Sequence, residues 1–348
     1  MKNIKKKENL EKINPLFKDV KEHNKYLLSL MGIFVLLLTG IISYNFTNTS
    51  HAKWHDTKSS NNILKLGVKK KDYALEFAQA NVGQNGLELV THEIDDTLQV
   101  DSKFATEYRY RGGDSVVKNY VTFNNEVWRI IGVIPTEDTD GNVENRFKII
   151  RAKSIGDYNW NDERSDDWTV STLNIYLNTN YYNALSGEVK SMIGTTKYYL
   201  GGYSNSNITT DVMWQYERKN KPNSVDYYTA YPVIQCDENK KIALMYVSDY
   251  GYAASKLCDK ILYYYDKDFN CNTTNNWLND DEYYNEWLLA REHSAVESAF
   301  YVEGNKVDAT DYMVNYNKFA IRPVLYLSSK VKISSGTGTS SDPYQLSL

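Results

Sequence analysis

The chain has 348 residues, of which 42% are hydrophobic and 24% charged, with only 6 prolines. That composition excludes a disordered or linker-dominated chain and leaves room for one large domain or two small ones. A net charge of −4 argues against phosphate or nucleic-acid binding as the main task. With 3 cysteines and 5 histidines, zinc sites and histidine-based catalysis have few residues to draw on, whereas 30 tyrosines are in surplus.

Charge is unevenly placed. Residues 1–25 carry eight lysines (Lys2, Lys5, Lys6, Lys7, Lys12, Lys18, Lys21, Lys25) and four acids (Glu8, Glu11, Asp19, Glu22), a net of +4. Taking these from the chain's 40 basic and 44 acidic residues leaves −8 for the rest. Residues 27–42, LLSLMGIFVLLLTGII, hold no charge. With Tyr26 and Tyr44 the segment would span about 28 Å as a helix, close to the ~30 Å of a hydrocarbon core. Tyrosines at both ends suit interfacial anchors, and the lysine bias places the N-terminus in the cytoplasm. Residues 1–25 read as a basic cytoplasmic tail and 26–44 as a transmembrane signal anchor, with residues 45–348 outside the cell. Cleavage of a signal peptide near Ala52, after Ser50-His51, is the alternative.

In that oxidising setting Cys258 and Cys271, with twelve residues between them, are spaced to close a loop by a disulfide worth roughly 3 kcal/mol in the chain-entropy model. Cys236 is left over. Three unpaired thiols are the alternative.

Residues 45–105 are polar and weakly patterned, and read as a stalk or spacer. One short amphipathic helix follows Lys69-Lys70-Lys71, through Tyr73, Leu75, Phe77 and Ala78, broken at Gly83 to Gly86. From Thr106 the pattern turns to short aromatic and β-branched strands at 108–111, 120–123, 127–134 and 147–152. Asn124-Asn125 and Asp140-Gly141 are hairpin signals. Leu173, Tyr176, Leu177, Tyr181 and Leu185 then recur at helical intervals behind a Ser171 cap, and Val189, Met192 and Ile193 continue a second helix. Ile242 to Val247, an alanine-rich stretch at 249–255, Trp277 and Trp287 to Leu289 follow. The chain closes with a strand at 300–302, a turn at 303–306 and a strand at 321–327. Strands, then helices, then strands predict an α+β domain over 106–348.

Several constellations invite a chemical reading. Residues 137–142 resemble a calcium loop, but Phe147 stands where the bidentate glutamate belongs, so a polar turn is expected. Trp160-Asn161-Asp162 occurs in calcium-dependent lectins, yet its partner Glu-Pro-Asn is absent and Lys221-Pro222-Asn223 is the nearest approach. No metal or other cofactor is expected. Asp280, Asp281, Glu282 and Glu286 could supply carboxylates to a hydrolase or oxidase, although a run of acids is usually a solvated surface. There is no G-x-S-x-G elbow, dinucleotide fingerprint or Walker loop, and no catalytic residue is assigned.

The ordered series Tyr108-Arg-Tyr-Arg-Gly-Gly, Val127-Trp-Arg-Ile-Ile-Gly-Val, Tyr198-Tyr-Leu-Gly-Gly-Tyr, Ser248-Asp-Tyr-Gly-Tyr-Ala-Ala-Ser and Arg322-Pro-Val-Leu-Tyr-Leu-Ser-Ser resembles a family of secreted or membrane-anchored proteins from low-G+C gut bacteria. The resemblance runs over about residues 90–348 and includes the ending Gly336 to Tyr344. It implies a C-type-lectin-like domain of the formylglycine-generating-enzyme type and an extracellular location, without an activity. Members often begin with a type IV prepilin signal, but the apolar run here is not preceded by Gly-Phe-Thr, so pilus assembly is not implied. Formylglycine chemistry would need Cys258 and Cys271, whose surroundings do not match, and the fold does not carry the function.

The same scaffold displays the variable segments of proteins diversified by retroelements, near the C-terminus. Residues 290–298 and 302–318 resemble such a segment, mixing side-chain classes between apolar anchors. Arg291, Glu292, His293, Glu297, Glu303, Lys306, Asp308, Asp311, Tyr312 and Tyr316 are the expected ligand face, since recognition sits on loops held by a rigid scaffold and tyrosine suits contact surfaces. An ordinary loop is the alternative. The expected function is a membrane-anchored surface module that binds a protein or glycan. An extracellular enzyme, or a pilus or surface-layer component, is the alternative.

Overall fold

Asn124 and Asn125 both adopt left-handed φ, 54° and 58°, closing the two-residue turn that joins β3 (Tyr120–Phe123) to β4 (Glu126–Glu137). In the computed structural model the described residues are 71–94, 100–138, 140–203, 208–218, 236–258, 261–264, 271, 274–280, 282–292, 295, 297–304, 306–309 and 312–348, with backbone alone at 236–239 and 264. The expected anchor at 26–44, the cleavage site near Ala52, the Lys221-Pro222-Asn223 segment and the side chain of Cys236 lie outside them. Among the described residues, no helix is long and apolar enough to cross a membrane.

Residues 70–348 form one unit of mixed α+β architecture. A seven-stranded sheet runs β1 (Leu87–Thr91), β2 (Thr106–Tyr110), β4, β5 (Val143–Arg151), β14 (Val324–Tyr326), β9 (Ile242–Ala243), with β3 also on β4. β4 bulges between Ile130 and Gly132. There a Cβ on Gly132 would lie 2.1 Å from the Tyr108 carbonyl oxygen, so the approach of β2 requires glycine. A five-stranded sheet runs β12 (Lys306–Asp308), β11 (Ala299–Glu303), β10 (Asn285–Arg291), β13 (Phe319–Ala320), β6 (Asp157–Tyr158).

One ribbon joins the sheets. β5 pairs with β14 in the first sheet and β6 pairs with β13 in the second, both antiparallel. The corner between them is held by Arg151 N–H to the Pro323 carbonyl at 3.0 Å and Ile155 N–H to the Ile321 carbonyl at 3.0 Å. Trp128, Trp160, Trp168 and Trp287 fill one continuous core with Ile149, Leu288, Phe300 and Leu325. Burying such side chains contributes about 1.5–3 kcal/mol each.

The helical periodicity from Thr172 is realised. Ser171 Oγ accepts from Asn174 N–H at 3.1 Å, capping a helix at Thr172–Tyr176 that continues through a π-helical turn, Leu177–Tyr181, to Tyr182–Ala184. The second helix occupies Gly187–Met192, and a third, Val247–Ala253, follows β9. Residues 137–142 form the polar turn expected of them. The Asp138 carboxylate accepts from the N–H groups of Asp140 and Asn142 at 2.9 Å each, so its charge serves the turn.

The boundary drawn at residue 106 needs correcting. Far from being a stalk, residues 73–91 are built into the domain. The helix Tyr73–Asn81 places Ala74 and Ala78 in the core, and β1 pairs with β2 along its whole length. Phe77 meets Phe147 and Tyr344 edge-on, with ring centroids 5.4 and 5.5 Å apart. Tyr344 belongs to the closing segment, whose hairpin is β15 (Lys332–Ser335) and β16 (Gln345–Ser347). It is hydrogen-bonded through its backbone to Tyr120 and Thr122.

Cys258 and Cys271 are joined in a disulfide, with Cα atoms 5.7 Å apart and both residues buried.

Candidate functional site

The ten residues expected to form one ligand face are not gathered on one exposed surface. His293 and Asp311 lie outside the described residues. Arg291 and Glu292, at the end of β10, are 7% and 2% exposed, and Asp308 on β12 is 1% exposed. Arg291 acts electrostatically on the buried Asp166, whose carboxyl burial pushes up to about 6 against that pull. Lys306 binds Glu303 at 2.9 Å and Asp308 at 2.7 Å, while the Tyr312 hydroxyl donates to Glu303 at 3.2 Å. These four therefore tie the β11–β12 hairpin together. The Tyr312 ring packs edge-on against Tyr301 and Phe319. Glu297 holds a two-point ion pair with Arg164. Tyr316 alone of the described eight is fully open, at 80% exposure. Arg291, Glu292 and Asp308 are turned inward, which side-chain class alone does not reveal.

The other constellations are similarly committed. Glu286 makes a two-point ion pair with Arg322 at 2.8 and 2.7 Å in the interior, and burial raises its carboxyl above the ordinary value. It is a structural charge, which withdraws the strongest of the acids near Trp287 from the enzyme reading. Asn161 is buried, with Nδ2 donating to the Ser165 carbonyl at 2.9 Å and Oδ1 accepting from Thr172 N–H at 3.3 Å. Trp160 is in the core, donating to the Leu288 carbonyl at 3.1 Å. The tripeptide is thus a folding element here, not a calcium ligand set. Among the described residues, no group of three or more His, Cys, Asp or Glu is placed to hold a metal ion.

Sequence reasoning missed a buried charge assembly beneath the seven-stranded sheet. The Arg109 guanidinium bridges Glu107 at 2.6 Å and Asp249 at 2.7 Å, and Asp249 also binds Lys148. Each of these side chains is 1% exposed or less. Burial opposes ionisation of Glu107, but Arg109 and His92 override it and hold the carboxyl well below the usual range. Burial pushes the Lys148 ammonium down to about 8, against the attraction of Asp249. Tyrosines enclose the cations. The Lys148 ammonium sits 4.1 Å from the Tyr246 ring centroid and 5.1 Å from that of Tyr326, and Arg109 lies over Tyr252 at 5.2 Å. From Glu107 the assembly reaches the surface through His92, which stacks on Trp214 at 3.7 Å and contacts Asp211 at 3.1 Å. Asp211 and Tyr252 line a recess of about 210 Å³, but the two are hydrogen-bonded to each other. The polar groups there are bonded to one another, although the Asp211 side chain keeps 60% exposure.

A cleft of about 360 Å³ on the edge strand of the second sheet is different. β6 and the loop after it supply Asp157, Tyr158, Asn159 and Asp162, the capped helix supplies Thr172, Leu173 and Tyr176, and the residue before β13 supplies Lys318. The core fixes both walls. Trp287 donates to the Tyr158 carbonyl at 2.9 Å, and Asp162 N–H donates to Thr172 Oγ1 at 2.9 Å, tying strand loop to helix. The Tyr158 and Tyr176 rings are 4.9 Å apart at 31°, with hydroxyls in hydrogen bond at 3.0 Å. Burial and that bond push the Tyr158 phenol up to about 12, so it stays neutral at physiological pH. Asp157, Asp162 and Lys318 are exposed. Asn159 donates to Asp162 at 3.1 Å, and its Oδ1 is buried with no hydrogen-bond partner. Exposed Val170, Ile175 and Tyr316 flank the cleft in sequence. Only Lys318 belongs to the C-terminal segment singled out from the sequence; Tyr176 had been read as an apolar helix position.

No family model matches the chain, and neither a curated protein nor a solved structure matches it.

Proposed function

We propose that the chain is a membrane-anchored recognition protein that holds its α+β domain outside the cell and binds a ligand at the cleft between β6 and the helix Thr172–Tyr176. Residues 26–44 are the anchor and residues 1–25 the cytoplasmic tail. The domain is of the C-type-lectin-like, formylglycine-generating-enzyme type, a reading supported by its two sheets and interposed helices. The observation that carries the function is the lining of the cleft. It brings together two aromatic rings, half-buried amide and hydroxyl groups and exposed charges, the composition of a small-ligand site. The disulfide Cys258–Cys271 supports the extracellular assignment.

Within this reading the C-terminal segment contributes Tyr316 and Lys318 at the rim. If it is diversified, a near-copy of its coding segment lies beside a reverse-transcriptase gene in the source genome.

Protease added to intact cells tests the location. Digestion of residues 70–348 with protection of the basic tail is expected, and protection of the domain until lysis overturns the proposal.

A further inference from the structure

We infer that the Tyr158–Tyr176 cleft is a metal-independent site for a neutral pyranose ring of a polysaccharide, an inference that rests on the recognition reading above. A sugar ring has two chemistries, and the cleft answers both. Its C–H faces are apolar and flat on the scale of an aromatic ring, and two tyrosine rings line the cleft, with Leu173 beside them. Its hydroxyls each donate and accept. Around the rings stand acceptors only (Asp157, Asp162), a donor only (Lys318), and groups that do both (Asn159, Thr172 and the two phenols). A ligand carrying one fixed charge would use only half of this set.

The internal bonds of the cleft leave capacity for such a partner. Thr172 Oγ1 accepts from Asp162 N–H, leaving its hydroxyl hydrogen unassigned among the described bonds. Asn159 has its Nδ2 on Asp162, while its Oδ1 is buried and unpaired. Asp157, Asp162 and Lys318 are exposed, so their charged groups can accept from or donate to ligand hydroxyls.

Charge narrows the class. Two exposed carboxylates against one ammonium leave the cleft net negative, which disfavours uronates and phosphorylated sugars. Calcium is not required, because Asn161 of the Trp-Asn-Asp tripeptide is turned into the fold and bonded there. About 360 Å³ is room for one or two sugar units.

Full-length protein in nanodiscs, titrated with cello-, malto-, manno- and galactohexaose and with polygalacturonate, tests this. At least one neutral hexaose is expected to bind saturably, unchanged by EDTA. Tyr176→Ala should weaken it at least tenfold and Tyr176→Phe no more than about threefold. Should Tyr176→Ala fail to fold, the exposed Lys318→Ala reports on the same site, with a loss of threefold or more expected. The inference is overturned by absence of binding to every neutral hexaose, by tighter binding of polygalacturonate, by loss of binding in EDTA, or by binding indifferent to Tyr176→Ala and Lys318→Ala in folded protein. Any of these would leave the protease result on intact cells standing, so failure of the sugar site is distinguishable from failure of the extracellular reading.

Discussion

The charge assembly under the seven-stranded sheet and the cleft at the edge of the five-stranded one are built from the same residue types: tyrosines, carboxylates, a lysine. In the interior, Asp249 meets Arg109, Lys148 and the Tyr246 N–H together, and the cations rest against tyrosine rings. At the cleft, Asp157, Asp162 and Lys318 remain open to solvent. Desolvation decides the role. A carboxylate removed from water must be answered by the fold itself, and is then unavailable to anything else. Where water still reaches, polar groups keep capacity for a ligand.

The comparison predicts a hierarchy of effects. The largest should follow Asp249→Ala, which leaves Arg109 and Lys148 buried without their shared counter-charge. About 3–5 kcal/mol of destabilisation is expected in chemical unfolding, and a loss below 1 kcal/mol would show that the assembly is not a structural keystone. Next, replacing both Cys258 and Cys271 by serine should cost roughly 3 kcal/mol, and the wild-type domain should unfold at lower denaturant once reduced.

Acid behaviour separates groups within the interior. Burial raises the Glu217 carboxyl from 4.5 to about 7, against Arg218 and the bonds from Ser248. A group raised in the folded state favours folding below its unfolded value and loses that contribution as pH climbs through the folded one. Stability should therefore increase, on the order of 2 kcal/mol, as pH falls from 8 to 5. Glu217→Gln should flatten the curve between about pH 4.5 and 7, and an unaltered slope there would remove Glu217 as its source. Glu107 and Asp249 act in the opposite sense. Both are held below their ordinary values, so their contribution is present above pH 4 and is lost on stronger acidification. The smallest effect belongs to the surface. Lys153 pairs with Glu282 at an exposed site, and Lys153→Ala should change stability by about 0.5 kcal/mol or less.

Legibility in the sequence follows the same division. The paired asparagines at 124–125, the Ser171 cap and the apolar period behind it act through local geometry, and each stands where the residues imply. So does the Cys258–Cys271 bridge, whose spacing is a local matter. The helix Tyr73–Asn81 was legible, but its docking was not. Its buried contribution comes from Ala74 and Ala78, too small to lift the hydropathy of a lysine-rich stretch. The burial of Glu107, Arg109 and Lys148 could not be read locally, because their partners His92 and Asp249 lie 15 to 140 residues away. The cleft was hidden for a related reason. Tyr158, Tyr176 and Lys318 come from three separate stretches; the pairing of Phe319 with Tyr158 brings Lys318 near β6, and Tyr176 arrives on a helix. As for the tyrosine surplus, four of the 30, Tyr120, Tyr246, Tyr252 and Tyr326, lie against buried cations, a use that composition alone does not suggest.

The docking of Tyr344 on Phe77 and on β3 has a consequence for the order of events during synthesis. The first helix of the domain and one edge of its main sheet wait for residues made some 270 positions later. Contacts of such long sequence separation slow folding. A nascent chain must therefore leave the Tyr344 side of Phe77 uncovered until nearly the whole domain has been delivered.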